Sequence, residues 1–183
     1  MLHGGKETST APVDGRSASW RRSAAMQRAI APGLHDDGVA TWLLRYRRRG
    51  WNGGAGPVAD ARWALQEVRR QLGGVPVVLL GHSMGGRTAV HVADDPSVVG
   101  VVALAPWLPT GEEIAAATRT PLVAAHGRRD HITSPRATRA YVERLVAASG
   151  RAEFVDMGPV GHYMFKRPAA WNDVAARRSR ALL

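Results

Sequence analysis

The sequence predicts an open α/β sheet in which strands alternate with helices that cover both faces. Apolar runs of strand length alternate with amphipathic segments of helix length, the pattern of repeated strand–helix–strand units. Two runs, VPVVLL and VVGVVALA, are apolar throughout, as expected for parallel strands buried on both faces. With 183 residues, 45% of them hydrophobic, the chain suits a single domain over residues 1–183.

About six segments are predicted as strands and five as helices. The strands are placed at residues 1–3, 39–46, 75–80, 98–105, 122–126 and 152–157. The helices are placed at residues 19–31, 58–72, 83–95, 134–149 and 168–181. The fourth helix has the clearest end signals, with Ser134 as N-cap, Pro135 in the first turn and Gly150 after the last turn.

The composition argues against several classes of protein. The chain has no cysteine, which excludes disulfides, cysteine-ligated zinc, iron–sulfur clusters and a thiol nucleophile. No apolar run approaches the roughly 20 residues of a membrane-spanning helix. The first residues, MLHGGKETST, lack the apolar stretch of a signal peptide. We therefore expect a soluble, cytoplasmic protein.

The net charge of +10 raises the question of a nucleic-acid partner. All but two of the 25 basic residues are arginine, and they are spread along the chain in short clusters. There is no basic tail, no zinc-finger spacing and no aromatic-rich strand pair. We expect loose attraction to anionic polymers at low salt but no specific nucleic-acid partner.

The most informative motif is GHSMGG at residues 81–86, between a predicted strand and a predicted helix. In a G-x-S-x-G turn the serine sits on a strained backbone that lifts its hydroxyl clear of the main chain. A side chain at Gly81 or Gly85 would clash across that turn, and Gly86 allows close packing against a neighbouring strand. Ser83 is therefore predicted to be a nucleophile.

With this motif the chain resembles the α/β-hydrolase superfamily, from the HGG at residues 3–5 to the GHYMF at residues 161–165. The resemblance implies a three-layer αβα sandwich and a serine, an acid and a histidine in that chain order. The version expected here is minimal, with no cap domain and a shortened N-terminus. The strand leading into His3 has only two or three residues, which fits a minimal domain, a late start or lost upstream sequence.

In the family the acid commonly follows a strand in an H-G-x-x-D arrangement, which HGRRD at residues 126–130 matches. The resemblance thus implies that Asp130 orients the catalytic histidine. Asp94 and Asp95 lie at the far end of the helix that Ser83 begins. Asp156, on the next strand, is a weaker alternative.

The resemblance assigns the base to His162, because GHY at residues 161–163 is similar to the family's loop that returns to the serine. His131 is the main alternative, but a histidine adjacent to Asp130 could not easily bond that carboxylate and also reach Ser83. His126 is expected to pack at the end of its strand. The remaining histidines are His3, His35, His82 and His91.

Acyl transfer also requires donors aimed at the developing oxyanion. One predicted donor is the backbone N–H of Met84 at the start of a helix. The HGG segment resembles the family's oxyanion loop, which implies Gly5 as the second donor, with Lys6 as the alternative.

No cap domain fits in residues 106–121, where Thr110 is predicted to N-cap one short helix with Glu112 and Glu113 in its first turn. The site should therefore be open. Candidate pocket walls are Trp51, Trp107 and Met164, although ordinary packing explains these side chains equally well.

The sequence therefore predicts a serine hydrolase acting on small or exposed esters, with thioesters or amides as further substrates. This chemistry needs neither a metal nor a cofactor. Two alternatives stay open: a non-catalytic relative that keeps the fold, and an acyltransferase that uses the same residues but excludes water.

Overall fold

The computed structural model describes residues 1–183, which form five α-helices and four β-strands. The helices are α1 Ala18–Asp36, α2 Ala55–Leu72, α3 Met84–His91, α4 Pro135–Ser149 and α5 Pro168–Leu182. The strands are β1 Val77–His82, β2 Val98–Leu104, β3 Leu122–His126 and β4 Ala152–Asp156. None of the helices combines the length and apolar composition that crossing a membrane requires.

The four strands form one parallel sheet in the order β1-β2-β3-β4, which confirms the predicted parallel arrangement. Val101 in β2 lies between Leu79 of β1 and Leu122 of β3. The continuous apolar run of β2 is explained by its central position, because its residues from Val101 onward are completely buried.

Helices cover both faces of the sheet and make three layers, as predicted. Val101 and Ala103 point to the face covered by α2, α3 and α4, whereas Val102 and Leu104 point to the face covered by α1 and α5. This alternation follows from the two-residue period of a strand. The segment between β2 and β3 carries no cap domain.

Two predicted strands are reduced to single bridges, so the sheet has four strands rather than about six. Leu2 lies in parallel between Gly81 and Leu44, and its N–H donates to the Leu80 carbonyl at 2.8 Å. Within residues 39–46, only Leu44 forms a bridge, and its partner is Leu2. Leu2 and Leu44 nevertheless extend the sheet beyond β1, where two further strands were predicted.

Helix α1 continues to Asp36, although Pro32 and Gly33 predict an end near residue 31. A proline removes a helical hydrogen bond but does not prevent a helix whose later residues are fixed by packing. Leu34 is buried in the core, and the Arg180 guanidinium donates to the Gly33 carbonyl at 2.6 Å. Contacts with α5 therefore extend the helix beyond Pro32 and Gly33.

The other helix ends differ less from the sequence expectation. Helix α3 ends at His91, and the predicted continuation to residue 95 is a series of turns. The signals of α4 are confirmed: the Ser134 hydroxyl accepts from the Ala137 N–H at 3.1 Å, and Gly150 is left-handed with φ of 68°.

The glycines around Ser83 let three pieces of backbone approach one another. A Cβ on Gly85 would overlap the carbonyl of Leu2, and one on Gly81 would overlap the carbonyl of Gly85. A Cβ on Gly86 would press on Pro106, just after β2. The close approaches predicted from the motif are therefore present, and they fix α3 against the first residues of the chain.

We expect Gly85→Ala to lower the free energy of unfolding by about 3 kcal/mol, because rigid backbone must move to admit the methyl group. Urea denaturation followed by circular dichroism measures the change. The matched control is Gly56→Ala in α2, where a Cβ meets nothing within 4 Å. That control should be neutral or stabilise by up to about 1 kcal/mol. Equal stability of the two variants would contradict the packing described for Gly85.

Candidate active site

Ser83 lies on the turn between β1 and α3, where the sheet's carboxyl edge meets the first turn of a helix. Its backbone has φ of 56° and ψ of −118°, a sparsely populated conformation for a residue with a side chain. The Ser83 carbonyl accepts from the N–H groups of Gly86 and Trp107, which holds the strained turn in place.

The structure brings together the three residues predicted as a triad. His162 Nε2 lies 3.0 Å from Ser83 Oγ, and His162 Nδ1 lies 2.8 Å from Asp130 Oδ2. All three side chains are buried. With a proton on Nδ1, His162 donates to Asp130, and its unprotonated Nε2 can accept from the serine hydroxyl.

The Asp130 carboxylate accepts five hydrogen bonds. Oδ1 accepts from the backbone N–H groups of Ile132 and Thr133 at 2.8 and 2.9 Å. Oδ2 accepts from the Thr133 hydroxyl at 2.9 Å and from the imidazoles of His162 and His126. Burial by itself raises the pKa of Asp130, but the hydrogen bonds from His126, His162 and Thr133 outweigh it and hold the pKa far below its ordinary value.

His126 does more than fill space, and this role was missed in the sequence. It is completely buried, as expected, but its Nε2 donates to Asp130 Oδ2 at 3.0 Å and its Nδ1 accepts from the Thr138 hydroxyl at 2.9 Å. The expectation of simple packing was therefore incomplete. The i, i+4 spacing of His126 and Asp130 at a strand end was the available signal.

The alternative acids and bases lie away from Ser83 or are engaged elsewhere. Asp94 and Asp95 form ion pairs with arginines of α2, and Asp156 pairs with Arg128. His131 is exposed and contributes no hydrogen bond to the group around Asp130.

His82 supports the loop that carries His162. Its Nε2 donates to the His162 carbonyl at 3.1 Å, and the two rings lie 4.9 Å apart. Burial is the largest of the effects that lower the pKa of His82 to about 3. His82 is therefore neutral at physiological pH and acts as a fixed donor to the His162 backbone.

The predicted oxyanion donors, Gly5 and Met84, lie on two segments that contact each other. Met84 is the first residue of α3, where helix N–H groups lack a partner in the preceding turn. The Gly5 N–H donates to no acceptor in the chain, whereas the Lys6 N–H donates to the Arg49 carbonyl at 2.8 Å. Of the two candidates in this loop, Gly5 has the free donor. A Cβ on Gly5 would overlap the Met84 side chain, so the two segments are in direct contact.

His3 shapes the loop that presents Gly5. It is completely buried; its Nδ1 donates to the Gly4 carbonyl at 2.6 Å and its Nε2 accepts from the Tyr46 N–H at 3.3 Å. Burial lowers its pKa to about 4, against the opposing effect of the Gly4 carbonyl. A neutral imidazole thus ties the HGG segment to residue 46.

Trp51 and Trp107 both pack on the guanidinium of Arg87. The Arg87 guanidinium carbon lies 4.3 Å from the Trp51 ring centroid and 4.5 Å from that of Trp107. Trp51 is buried, and its backbone N–H donates to the Lys6 carbonyl at 2.8 Å. The backbone of Trp51 therefore holds the first loop of the chain while its ring packs on Arg87 of α3, and contact of the two indoles with a substrate stays a prediction.

Glu112 contacts Arg87 and His91, and the helix predicted to start at Thr110 is absent. Its carboxylate lies 2.7 Å from Arg87 Nη2 and 2.6 Å from His91 Nε2. Burial raises the pKa of Glu112, but bonds from His91 and Arg87 keep it below its ordinary value. Residues 110–111 form a turn instead, and the short 3₁₀ helix begins later, at Ala115–Ala117. Glu112 therefore contacts Arg87 instead of standing in the first turn of a helix.

Met164, the third candidate for a pocket wall, is buried in the core between α1 and α5. Its neighbours Tyr163 and Phe165 are instead exposed beside His162. One depression of about 540 Å³ opens on the outer side of Asp130, and another of about 530 Å³ lies beside Trp51. Ser83 lines neither of them. No group of three His, Asp or Glu side chains is placed to hold a metal ion.

Solved structures of several microbial proteins are similar to this fold. A serine hydrolase homologue from Coxiella burnetii has a TM-score of 0.73 at 21% identity, covering 97% of this chain and 88% of its own. A serine hydrolase without lid from Xanthomonas campestris has a TM-score of 0.73 at 20% identity, covering 96% and 79%. An esterase from Pyrococcus furiosus has a TM-score of 0.68 at 14% identity, covering 87% and 76%. At these identities the likeness establishes the fold alone.

No curated protein matches the chain. A family model described as an alpha/beta hydrolase domain matches residues 53–158, which is more than half of the sequence. The matched segment contains all four strands, the turn that carries Ser83 and the loop that carries Asp130. The chain therefore belongs to the alpha/beta hydrolase family.

Proposed function

We propose that this protein is a serine hydrolase that cleaves small or exposed carboxylic esters through an acyl-enzyme on Ser83. The observation that carries the proposal is the continuous chain of hydrogen bonds from Ser83 Oγ through His162 to Asp130. Such an arrangement activates an otherwise weak hydroxyl nucleophile. The neighbours described as serine hydrolases and an esterase support the same reaction class.

In the first step Ser83 Oγ attacks the ester carbonyl while His162 Nε2 accepts the serine proton. The carbonyl oxygen becomes negative and is stabilised by the N–H groups of Gly5 and Met84. Asp130 stabilises the imidazolium that forms and keeps its Nδ1–H directed away from the substrate. The tetrahedral intermediate then collapses, and His162 gives its proton to the departing alkoxide.

In the second step a water molecule takes the place of the alcohol. His162 accepts a proton from that water, whose oxygen attacks the acyl carbon on Ser83. Collapse of the second intermediate releases the carboxylic acid and returns the proton to Ser83 Oγ. The cycle uses only side chains and backbone groups of this chain.

The restriction to small or exposed esters rests on the surroundings of Ser83. The segment between β2 and β3 folds as turns and one short 3₁₀ helix, and no cap covers the nucleophile. The Xanthomonas neighbour described as lacking a lid has the same general form. An uncovered site accepts the ester group but encloses little of a long acyl chain.

We expect Ser83→Ala and His162→Ala each to lower kcat by about 10⁴-fold or more, because the members of a triad act as a unit. Turnover of a short aryl ester measures the loss. Labelling by a fluorophosphonate probe should also disappear in Ser83→Ala.

The matched control is His131→Ala, which removes an exposed imidazole next to Asp130 and should change kcat little. A large loss in this control with full activity in His162→Ala would move the base to His131. Persistent labelling at another serine would contradict the assignment of Ser83, and no labelling of the wild type would favour a non-catalytic relative.

For chain length, we expect kcat/KM on aryl esters to peak at about two to six acyl carbons, without a jump at a lipid interface. Each fully buried methylene contributes about 0.8 kcal/mol, or roughly a fourfold gain, until the enclosing surface ends. A series of aryl esters of increasing acyl length measures the profile. A steady rise to twelve or more carbons would contradict the open site and favour a lipid-acting enzyme.

A further inference from the structure

An arginine and two exposed aromatic side chains lie next to His162. The Arg22 guanidinium carbon, on α1, is 4.8 Å from the Tyr163 ring centroid and 4.7 Å from that of Phe165. The Tyr163 ring is 5.4 Å from the His162 ring, whose Nε2 meets Ser83. Arg22 is therefore separated from the nucleophile by only two rings.

The positive charge of Arg22 is not balanced by the protein. Arg22 forms no ion pair and no side-chain hydrogen bond, and its Nε is buried without a partner. Arg87 is a useful contrast, because it also lies between two aromatic rings but is paired with Glu112. Arg22 is half-buried against two rings and has no anionic partner, so its charge is available to an anion that another molecule supplies.

The charge of Arg22 is also close to His82, next to the nucleophile. Burial lowers the pKa of Arg22 from its ordinary value, yet a guanidinium stays charged in proteins. Its charge contributes, after burial and His162, to the lowered pKa of His82. The cation therefore lies beside the turn that carries Ser83.

The two rings offer apolar surface beside this charge. Tyr163 is 47% exposed and Phe165 is 74% exposed, although large aromatic side chains are usually more buried. Their centroids lie 5.9 Å apart at an interplanar angle of 31°. A ligand with a flat or aliphatic body and an anionic end would cover the rings while its charge meets the guanidinium.

Resting on the esterase function proposed above, we propose that Arg22, with Tyr163 and Phe165, binds a carboxylate of the substrate. The preferred substrates are then small esters that carry a carboxylate a few atoms from the ester bond. A planar carboxylate fits the paired donors of a guanidinium, and charge-assisted bonds of this kind are about twice as strong as neutral ones.

Two pairs of esters test the proposal, because the carboxylate can stand on either side of the ester bond. On the alcohol side, 4-acetoxybenzoate is compared with 4-acetoxybenzamide. On the acyl side, monophenyl adipate is compared with its terminal amide. We expect the wild type to favour the acid of at least one pair by about tenfold or more in kcat/KM.

Arg22→Met should bring this acid-to-amide ratio close to one. The matched control is Arg21→Met, which removes the same charge from the neighbouring exposed position of α1 and should keep both the ratio and the activity. A wild-type ratio near one in both pairs would overturn the proposal. An equal loss of the ratio in Arg21→Met would also overturn it, because net charge alone would then explain the preference.

Direct binding separates this proposal from the esterase function. Binding of 4-hydroxybenzoate and 4-hydroxybenzamide to the wild type and both variants is measured by ligand-observed NMR. Tighter binding of the acid that is lost only in Arg22→Met supports the anion site, even if no ester is cleaved and no probe labels Ser83. Equal binding of the acid by wild type and Arg22→Met overturns the anion site, even if ester cleavage is confirmed.

Discussion

The arrangement around Ser83 depends on one buried carboxylate. Asp130 receives hydrogen bonds from its own loop, from His126 at the end of β3 and from His162 in the loop after β4. Without the carboxylate these buried donors would have no acceptor, and each unsatisfied group costs about 1–3 kcal/mol. The same bonds that hold three segments together therefore keep Asp130 ionised and His162 oriented.

A second constraint is the close approach of backbone on the other side of the nucleophile. The carbonyls of Leu2 and His3 pass directly over Gly85, where no side chain would fit. This contact places the loop containing Gly5 beside the start of α3. A single bridge joins Leu2 to Gly81 and another joins it to Leu44. The close contact at Gly85 and the packing of Arg87 with Trp51, Trp107 and Glu112 therefore supply much of the rigidity that a longer strand would give. The strained Ser83 backbone is then held by packing on both sides.

The sequence predicted that Ser83, Asp130 and His162 meet, because each follows a strand and the carboxyl ends of parallel strands lie at one edge of a sheet, and the structure brings the three side chains together. The bond from His126 to Asp130 was missed, because the i, i+4 spacing allows it but its formation depends on the side-chain direction at the strand end. The predicted end of α1 was wrong, because packing of Leu34 and a hydrogen bond from Arg180 extend the helix beyond Pro32. The prediction of a helix starting at Thr110 was wrong, and Glu112 instead pairs with Arg87. No pattern in the sequence singled out Arg22, because its proposed role depends on contacts between α1 and a loop about 140 residues away.

The most direct test of this account is the position of the histidine protons in the free protein. Long-range proton–nitrogen NMR on protein labelled with ¹⁵N-histidine reports the tautomer of each neutral ring. We expect His162 to carry its proton on Nδ1, whereas His82 and His126 carry theirs on Nε2. We also expect Asp130→Asn to change the tautomer or the environment of His162. A proton on Nε2 of His162 in the wild type, or a His162 signal that Asp130→Asn leaves unchanged, would contradict the account.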